Sequence, residues 1–290
     1  STATPTLSSV RAALTGRGRI LFTSDRSGNR QIYMMNSDGT QVQRLTNNLY
    51  NDLAPSWSPD GKQIAFISNR DGNDEIYLMK ADGTNQQRLT HTVDDEGSPN
   101  WSPDGRHLIF TRRCNKLENC TSQQDLYIFD IDGKNLYRLT DSFNNEFLPA
   151  WSPDGARVAY VMGDPNGSSI YISSITGEGR KLFGDMVMNA SMPAWSPDGS
   201  HMAYVEWDPK TYQSELYVAL SDGSQPRRLT YEKASVSQPA WSPDGKYLAF
   251  SLRRRDEAGE AIMVVPLDGS HGPLALTSGS QNDTQPVWGP

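Results

Sequence analysis

Hydrophobic and polar positions along this chain alternate in short bursts. Apolar runs such as Ile64-Ala65-Phe66 and Leu248-Ala249-Phe250 are followed by second runs at Ile32-Tyr33, Ile76-Tyr77, Leu126-Tyr127, Ile170-Tyr171 and Leu216-Tyr217. Gly, Pro, Asp and Ser separate them. Runs of roughly four to six residues rich in β-branched and aromatic types, cut by such turn formers, predict β-strands. No apolar run approaches the roughly 18 residues that a membrane-spanning helix needs.

The bursts recur with a fixed grammar. Trp-Ser-Pro-Asp-Gly begins at Trp57, Trp101, Trp151, Trp195 and Trp241, and a degenerate copy, Trp288-Gly-Pro, ends the chain. The spacings of 44, 50, 44, 46 and 47 residues fall in the range of propeller blades. A proline stands two residues before each tryptophan. Ser-Pro-Asp-Gly suits a type I turn, with Pro at its second position and Gly closing it. An Asp-Gly turn follows at Asp38, Asp82, Asp132, Asp222 and Asp268, and Arg-Leu-Thr closes the unit at Arg44, Arg88, Arg138 and Arg228. The expected fold is all-β, a six-bladed β-propeller with four antiparallel strands per blade, A (at Trp) to D. Residues 20–46 supply B, C and D without an A, and residues 284–288 supply an A with nothing after it. Joining the two closes the ring without an open edge. Residues 19–290 then form one propeller, and residues 1–18 read as a linker.

The units at 55–72 and 75–84 (Pro-Ser-Trp-Ser-Pro-Asp-Gly-Lys-Gln-Ile-Ala-Phe-Ile-Ser-Asn-Arg-Asp-Gly and Glu-Ile-Tyr-Leu-Met-Lys-Ala-Asp-Gly-Thr) resemble the WD-repeat-like units of TolB-like propellers. The resemblance runs over about residues 19–290. It implies an extracytoplasmic, non-enzymatic binding scaffold as the commonest role, although such propellers also occur in peptidases, lyases and membrane-anchored signalling proteins.

The composition narrows the partners. A net charge of −7 and a pI near 5.1 disfavour nucleic acid and anionic membrane. The chain opens at Ser1 without a methionine, which leaves open what precedes it, whether signal, anchor or further domain. The two cysteines, Cys114 and Cys120, share the longest B–C loop. A disulfide there, worth on the order of 2 kcal/mol by the loop-entropy model, fits an oxidising compartment. Two free thiols are the alternative, and a zinc site would need two more ligands.

The A–B and C–D turns are nearly uniform, whereas the D–A and B–C loops on the other face vary, as loops that carry function do on a rigid scaffold. Two features of that face stand out. Asp52, Glu96, Glu146 and Asp283 stand three residues before the repeat proline and should ring the channel mouth. Hairpin geometry sets Asp52 opposite Arg70, Glu96 near Arg113 and Asp283 across from Arg26, so ion pairing competes with cation binding, while Glu146 faces Gly163 without a partner. The second feature is apolar: Met186, Val187 and Met188 in one loop, Trp207 and Tyr212 in the next, suited either to an adaptable protein contact or to local packing.

No Gly-x-Ser-x-Gly elbow, P-loop, dinucleotide fingerprint or His-Glu-x-x-His occurs, and the four histidines occupy different repeat positions. No cofactor or metal is expected. The leading expectation is a monomeric, periplasmic or otherwise extracytoplasmic protein-binding module. Its partner would contact Met186, Met188, Trp207 and Tyr212, with Glu146 and Asp52 adding charge. The alternative is an enzyme-associated propeller, of a serine peptidase or polysaccharide lyase, or a channel that binds a cation or small ligand.

Overall fold

Each repeat folds as an antiparallel meander fixed by its own residues. In the first complete repeat the strands are Asp52–Trp57 (A), Gln63–Ser68 (B), Glu75–Lys80 (C) and Gln87–Arg88 (D), paired in that order. The computed structural model of the chain describes residues 7–114, 124–164, 167–184 and 189–290. At the A–B turn the Gly61 N–H donates to the Ser58 carbonyl at 2.9 Å, and the same bond recurs at Gly105, Gly155, Gly199 and Gly245. These glycines have φ between 65° and 70°, a region that disfavours a Cβ.

Strands B and C carry the aromatic grammar. Phe22–Tyr33, Phe66–Tyr77, Phe110–Tyr127, Tyr160–Tyr171 and Tyr204–Tyr217 are direct cross-strand partners, with ring centroids 5.6–6.3 Å apart. Such pairs stabilise a sheet beyond simple burial. The threonine of Arg-Leu-Thr has an equally local task. Thr46, Thr90, Thr140 and Thr230 accept the strand C amide of Ile32, Ile76, Leu126 and Leu216 at 2.9–3.0 Å, pinning a D strand of only two or three residues.

The meanders form four four-stranded sheets and one of eight strands, arranged as an all-β propeller. One four-stranded sheet is the seam: Asp283–Gly289 pairs with Arg19–Ser27, Ile20 opposite Trp288 and Ser24 opposite Asp283, so the C-terminal A strand completes the N-terminal B, C and D. The eight-stranded sheet departs from the expected row of separate blades. Its third strand, Gln213–Leu220, and the A strand Ser235–Trp241 are joined by one parallel pair, Ser214 with Ser235. The Ser214 hydroxyl donates to the Val236 carbonyl at 2.7 Å and accepts the Val236 amide at 2.8 Å.

Hydrophobic clusters sit between neighbouring sheets. One combines Ile67 and Ile76 with Trp101, Leu108 and Phe110, and each large side chain so buried contributes roughly 1.5–3 kcal/mol. The repeat tryptophans bridge the same gaps: Trp101, Trp195 and Trp241 donate their indole N–H to Ser56, Ala150 and Ala194 carbonyls of the preceding A strand at 2.9–3.2 Å. The segment read as a linker contains an α-helix, Leu7–Leu14. Its Val10 and Leu14 are buried in a cluster with Ile20, Phe22 and Trp288, and its last carbonyl, that of Leu14, accepts the Ser37 hydroxyl at 2.6 Å.

Candidate functional site

Six copies of the A strand converge on one cavity of about 160 Å³, lined by Pro55, Pro99, Pro149, Pro193, Pro239 and Pro286 together with their neighbours. The residue before each proline, namely Ala54, Ser98, Leu148, Met192, Gln238 and Gln285, is left-handed, with φ of 50–56°. Each A–B ladder skips register there. A non-glycine residue in this region costs on the order of 1–3 kcal/mol, so surrounding contacts must hold the bulge. Three of those contacts run from one A strand to the next. The Ala54 amide donates to Gln285 Oε1 at 2.8 Å, the Gln285 amide to Gln238 Oε1 at 2.8 Å, and the Gln238 amide to Met192 Sδ at 3.0 Å. The cavity is smaller than the roughly 300–1,000 Å³ of ordinary small-molecule sites.

Above the prolines lie the four acids. Asp52, Glu96, Glu146 and Asp283 are all at most 2% exposed. Arg70 meets Asp52 at 3.1 Å and Arg26 meets Asp283 at 2.8 Å. Glu96 pairs with Arg112 at 3.1 Å, not Arg113, because the ladder sets Glu96 opposite Arg112 and Asp95 opposite Arg113. Each arginine also lies over the aromatic pair of its own sheet, 4.5–5.8 Å from the ring centroids, which compensates part of its desolvation. Glu146 stands opposite Met162 rather than Gly163. It accepts the Ser142 hydroxyl and has no ion pair among the described residues. Asp52 and Glu146 therefore present no charge to the surface: the arginine covers one, and the other lies beneath its own loop.

A second set of acids, not anticipated from the repeat, faces the first across two gaps. Glu75, Asp125 and Glu215 stand just before the Ile-Tyr or Leu-Tyr motif and clasp Arg88, Arg138 and Arg228 of strand D. Its sequence signal is an acid at one fixed repeat position in three of the six units. Glu75 lies against Glu96. Burial, with the Glu75 charge adding to it, pushes Glu96 up to about 8. Burial also raises Glu75, but hydrogen bonds from Thr90 and the Thr92 amide outweigh it and hold this carboxyl below its ordinary range. Asp125 stands near Glu146 in the same way, and burial raises both. One carboxylate oxygen of each of these four side chains is buried without a hydrogen-bond partner.

The loops above carry exposed apolar side chains. Trp207 is 41% and Tyr212 72% exposed, their rings edge to face at 6.1 Å. The structure adds Leu49, Val93 and Phe143 (94% exposed), which share one repeat position three residues after the D-strand threonine, and Tyr231. Their signal in the sequence is an apolar residue at a fixed offset in otherwise polar loops. Met186, Met188 and Cys120 lie outside the described residues; Cys114 is disulfide-bonded.

Elsewhere the polar groups are local. His107 lies 3.3 Å from Asp130, and the Nδ1 of His201 meets the Ser200 hydroxyl. Among the described residues no group of three or more His, Cys, Asp or Glu side chains could hold a metal ion, and no helix is long and apolar enough to cross a membrane.

This combination of closed sheet ring, narrow proline-lined centre and irregular loop face defines a β-propeller. The sequence matches the TolB beta propeller domain over residues 15–126 and 114–290, and the chain belongs to that family. A Tol-Pal system protein TolB of Geobacter sulfurreducens is 49% identical over 47 residues, 16% of this chain and 11% of that protein, so the chain spans about a tenth of that relative. The crystal structure of TolB from Acinetobacter baumannii superposes with a TM-score of 0.78 at 21% identity, over 94% of this chain and 67% of that one. A manganese complex of oligogalacturonate lyase reaches 0.58 at 14% identity, over 90% and 74%. Likenesses at such identities carry the fold alone.

Proposed function

We propose that this chain is a non-enzymatic protein-binding scaffold or sensor module that works outside the cytoplasm and docks its partner through the D–A/B–C loop face. The observation that carries this reading is the exposure of Phe143, Tyr212, Tyr231 and Trp207 in the loops that vary, above a frame whose turns repeat. Large aromatic side chains held out on one face are the common anchors of protein contacts. Met186 and Met188 belong to the same surface in this proposal, and Asp52 and Glu146 support it from beneath. The disulfide at Cys114 supports an oxidising, periplasmic setting, as does the TolB family membership. The eight-stranded sheet acts as two four-stranded blades laced at Ser214, which makes six blades around the cavity.

A lyase-type reading needs converging metal ligands. Asp52, Glu96 and Asp283 pair with arginines and Glu146 with Ser142, no three ligating side chains among the described residues could hold a metal ion, and added Mn²⁺ or Ca²⁺ is expected to leave the melting temperature unchanged. The docking reading is tested by photo-crosslinking from position 207 in the native envelope, with a matched probe at position 62 on the uniform face. A discrete adduct from 207 alone is expected. Equal or absent labelling at both positions would overturn it.

A further inference from the structure

One sector of the loop face differs in charge from the rest of this acidic chain. A cavity of about 160 Å³ is lined by Tyr212, Lys233, Arg253, Arg254, Arg255 and Glu257, among others. Arg254 is already engaged, by Glu232 at 3.2 Å and Glu257 at 3.0 Å. Lys233, Arg253 and Arg255 are exposed and belong to no ion pair among the described residues. Glu260 is within electrostatic reach of Arg253 and of Arg30, and burial raises its pKa. Four cations therefore line a cavity whose own carboxylate, Glu257, pairs with Arg254 through one oxygen, its other oxygen being buried without a hydrogen-bond partner.

The backbone here is also held in an unusual way. Tyr212 (φ 56°) and Lys233 (φ 51°) are left-handed without being glycine or asparagine, and neither belongs to the six pre-proline positions. Strain of this kind persists where surrounding structure fixes it and gathers at binding sites. The Tyr212 amide closes its own hairpin turn on the Asp208 carbonyl at 2.9 Å, and the Ser214–Ser235 lacing joins the two segments that carry Gln213 and Ser235 of the cavity lining. On the third side Arg255 is tied to the Thr211 carbonyl at 3.4 Å.

We infer that this cavity is a recognition site for the carboxylate of an acidic segment of the docked protein partner, seated between Arg253, Arg255 and Lys233 with Tyr212 against its stem. This inference rests on the docking reading above and names the partner chemistry for one part of it. Three observations carry it. Guanidinium groups that belong to no ion pair among the described residues suit bidentate contact with a carboxylate. The cavity is well below ordinary small-molecule size, which matches one inserted side chain rather than a cofactor. The basic residues also line the cavity together with the exposed Tyr212, and tyrosine with arginine is the usual composition of an interface centre.

The test is an NMR titration of the whole chain with acetylated hexaglutamate. Saturable amide shifts confined to 212–214, 233–235 and 253–257 are expected. They should weaken by about tenfold or more in Arg253→Gln/Arg255→Gln, since each lost charged hydrogen bond carries that much affinity. Both arginines are exposed, so the wild-type melting temperature is expected to persist, and Lys233→Gln provides an independent second variant. Shifts spread over the whole surface, or undiminished in both variants, would overturn the inference. If sodium sulfate at matched charge reproduces the shifts, the cavity takes small anions and the peptide assignment fails. Crosslinking from position 207 separates the two levels. No adduct in the wild type removes the docking reading itself, whereas an adduct undiminished in the double variant removes only the carboxylate site.

Discussion

The two mouths of this propeller are built from the same repeat and spend it differently. At the uniform mouth, five A–B turns make the same bonds. The Ser58, Ser102, Ser196 and Ser242 hydroxyls donate to the aspartate two residues on at 2.5–2.7 Å, and Ser152 does the same to Asp154. Those aspartates accept the amide two residues further at 3.0–3.1 Å. The bonds leave their mark on ionisation: the Ser196 hydroxyl, helped by Ser200, pulls Asp198 down to about 2. At the variable mouth, the same inner strands end in buried acids whose partners change from sheet to sheet. Asp52 and Asp283 have arginines, Glu96 has an arginine and an opposing glutamate, and Glu146 has a serine. The repeat holds its turn bonds constant at one mouth; at the other, the partner of one strand position changes, within the sheet or loop for each acid and also across a gap for Glu96 with Glu75.

The sharpest way to break this comparison is Arg70→Ala. It would strand the fully buried Asp52 with only the Asn48 amide and is expected to cost about 3–5 kcal/mol in denaturant unfolding. A loss below about 1 kcal/mol would mean that the acid ring is not held by its pairs. Next comes Glu96→Gln. An unfolded glutamate ionises near pH ~4.3, whereas Glu96 keeps its proton up to about 8. Its contribution is full below the lower value and is lost as pH rises through the upper one. The wild-type melting temperature should therefore fall across that window, and Glu96→Gln should flatten the fall. An unchanged slope would place the pH dependence elsewhere.

At the uniform mouth Asp154→Ala removes the acceptor of the Ser152 hydroxyl and the Ala156 amide. The expected cost is about 1–2 kcal/mol by chemical denaturation, and the matching change at Asp104 or Asp198 should cost nearly the same. Divergent values would break the claim of equivalent turns. The smallest expected effect on stability is that of Tyr231→Ser or Trp207→Ser, about 1 kcal/mol, since each loses one ring contact, with Arg228 or with Tyr212. For these the informative measurement is partner capture, which should be lost while the fold is kept.

Much of the fold was legible because its information is local. Trp-Ser-Pro-Asp-Gly, Ile-Tyr and Arg-Leu-Thr each encode a turn, an aromatic ladder or a threonine clasp completed within one repeat, so spacing and residue type sufficed to order the strands. The closure of Asp283–Gly289 onto Arg19–Ser27 also followed, since a missing strand at one end and a spare one at the other have one consistent solution. The acid–arginine pairs were readable to within a residue. Arg112 replaced Arg113 because the bulge at the left-handed Ser98 shifts the ladder between Gly97 and Asn100.

What the sequence by itself determined is the repeated unit, its strands and turns, the closure of the ring and the belonging to the TolB propeller family. Tertiary structure alone decided what lies between units. It set Glu75 against Glu96 and Asp125 near Glu146, laced Ser214 to Ser235, packed Val10 and Leu14 of the helix against Ile20, Phe22 and Trp288, and gathered Tyr212, Lys233 and Arg253 from three separate segments into one cavity. The reason is physical. Hydrogen bonds within a turn or hairpin depend on neighbours fixed by the chain itself, whereas desolvation and charge pairing depend on which surfaces the closed ring brings together.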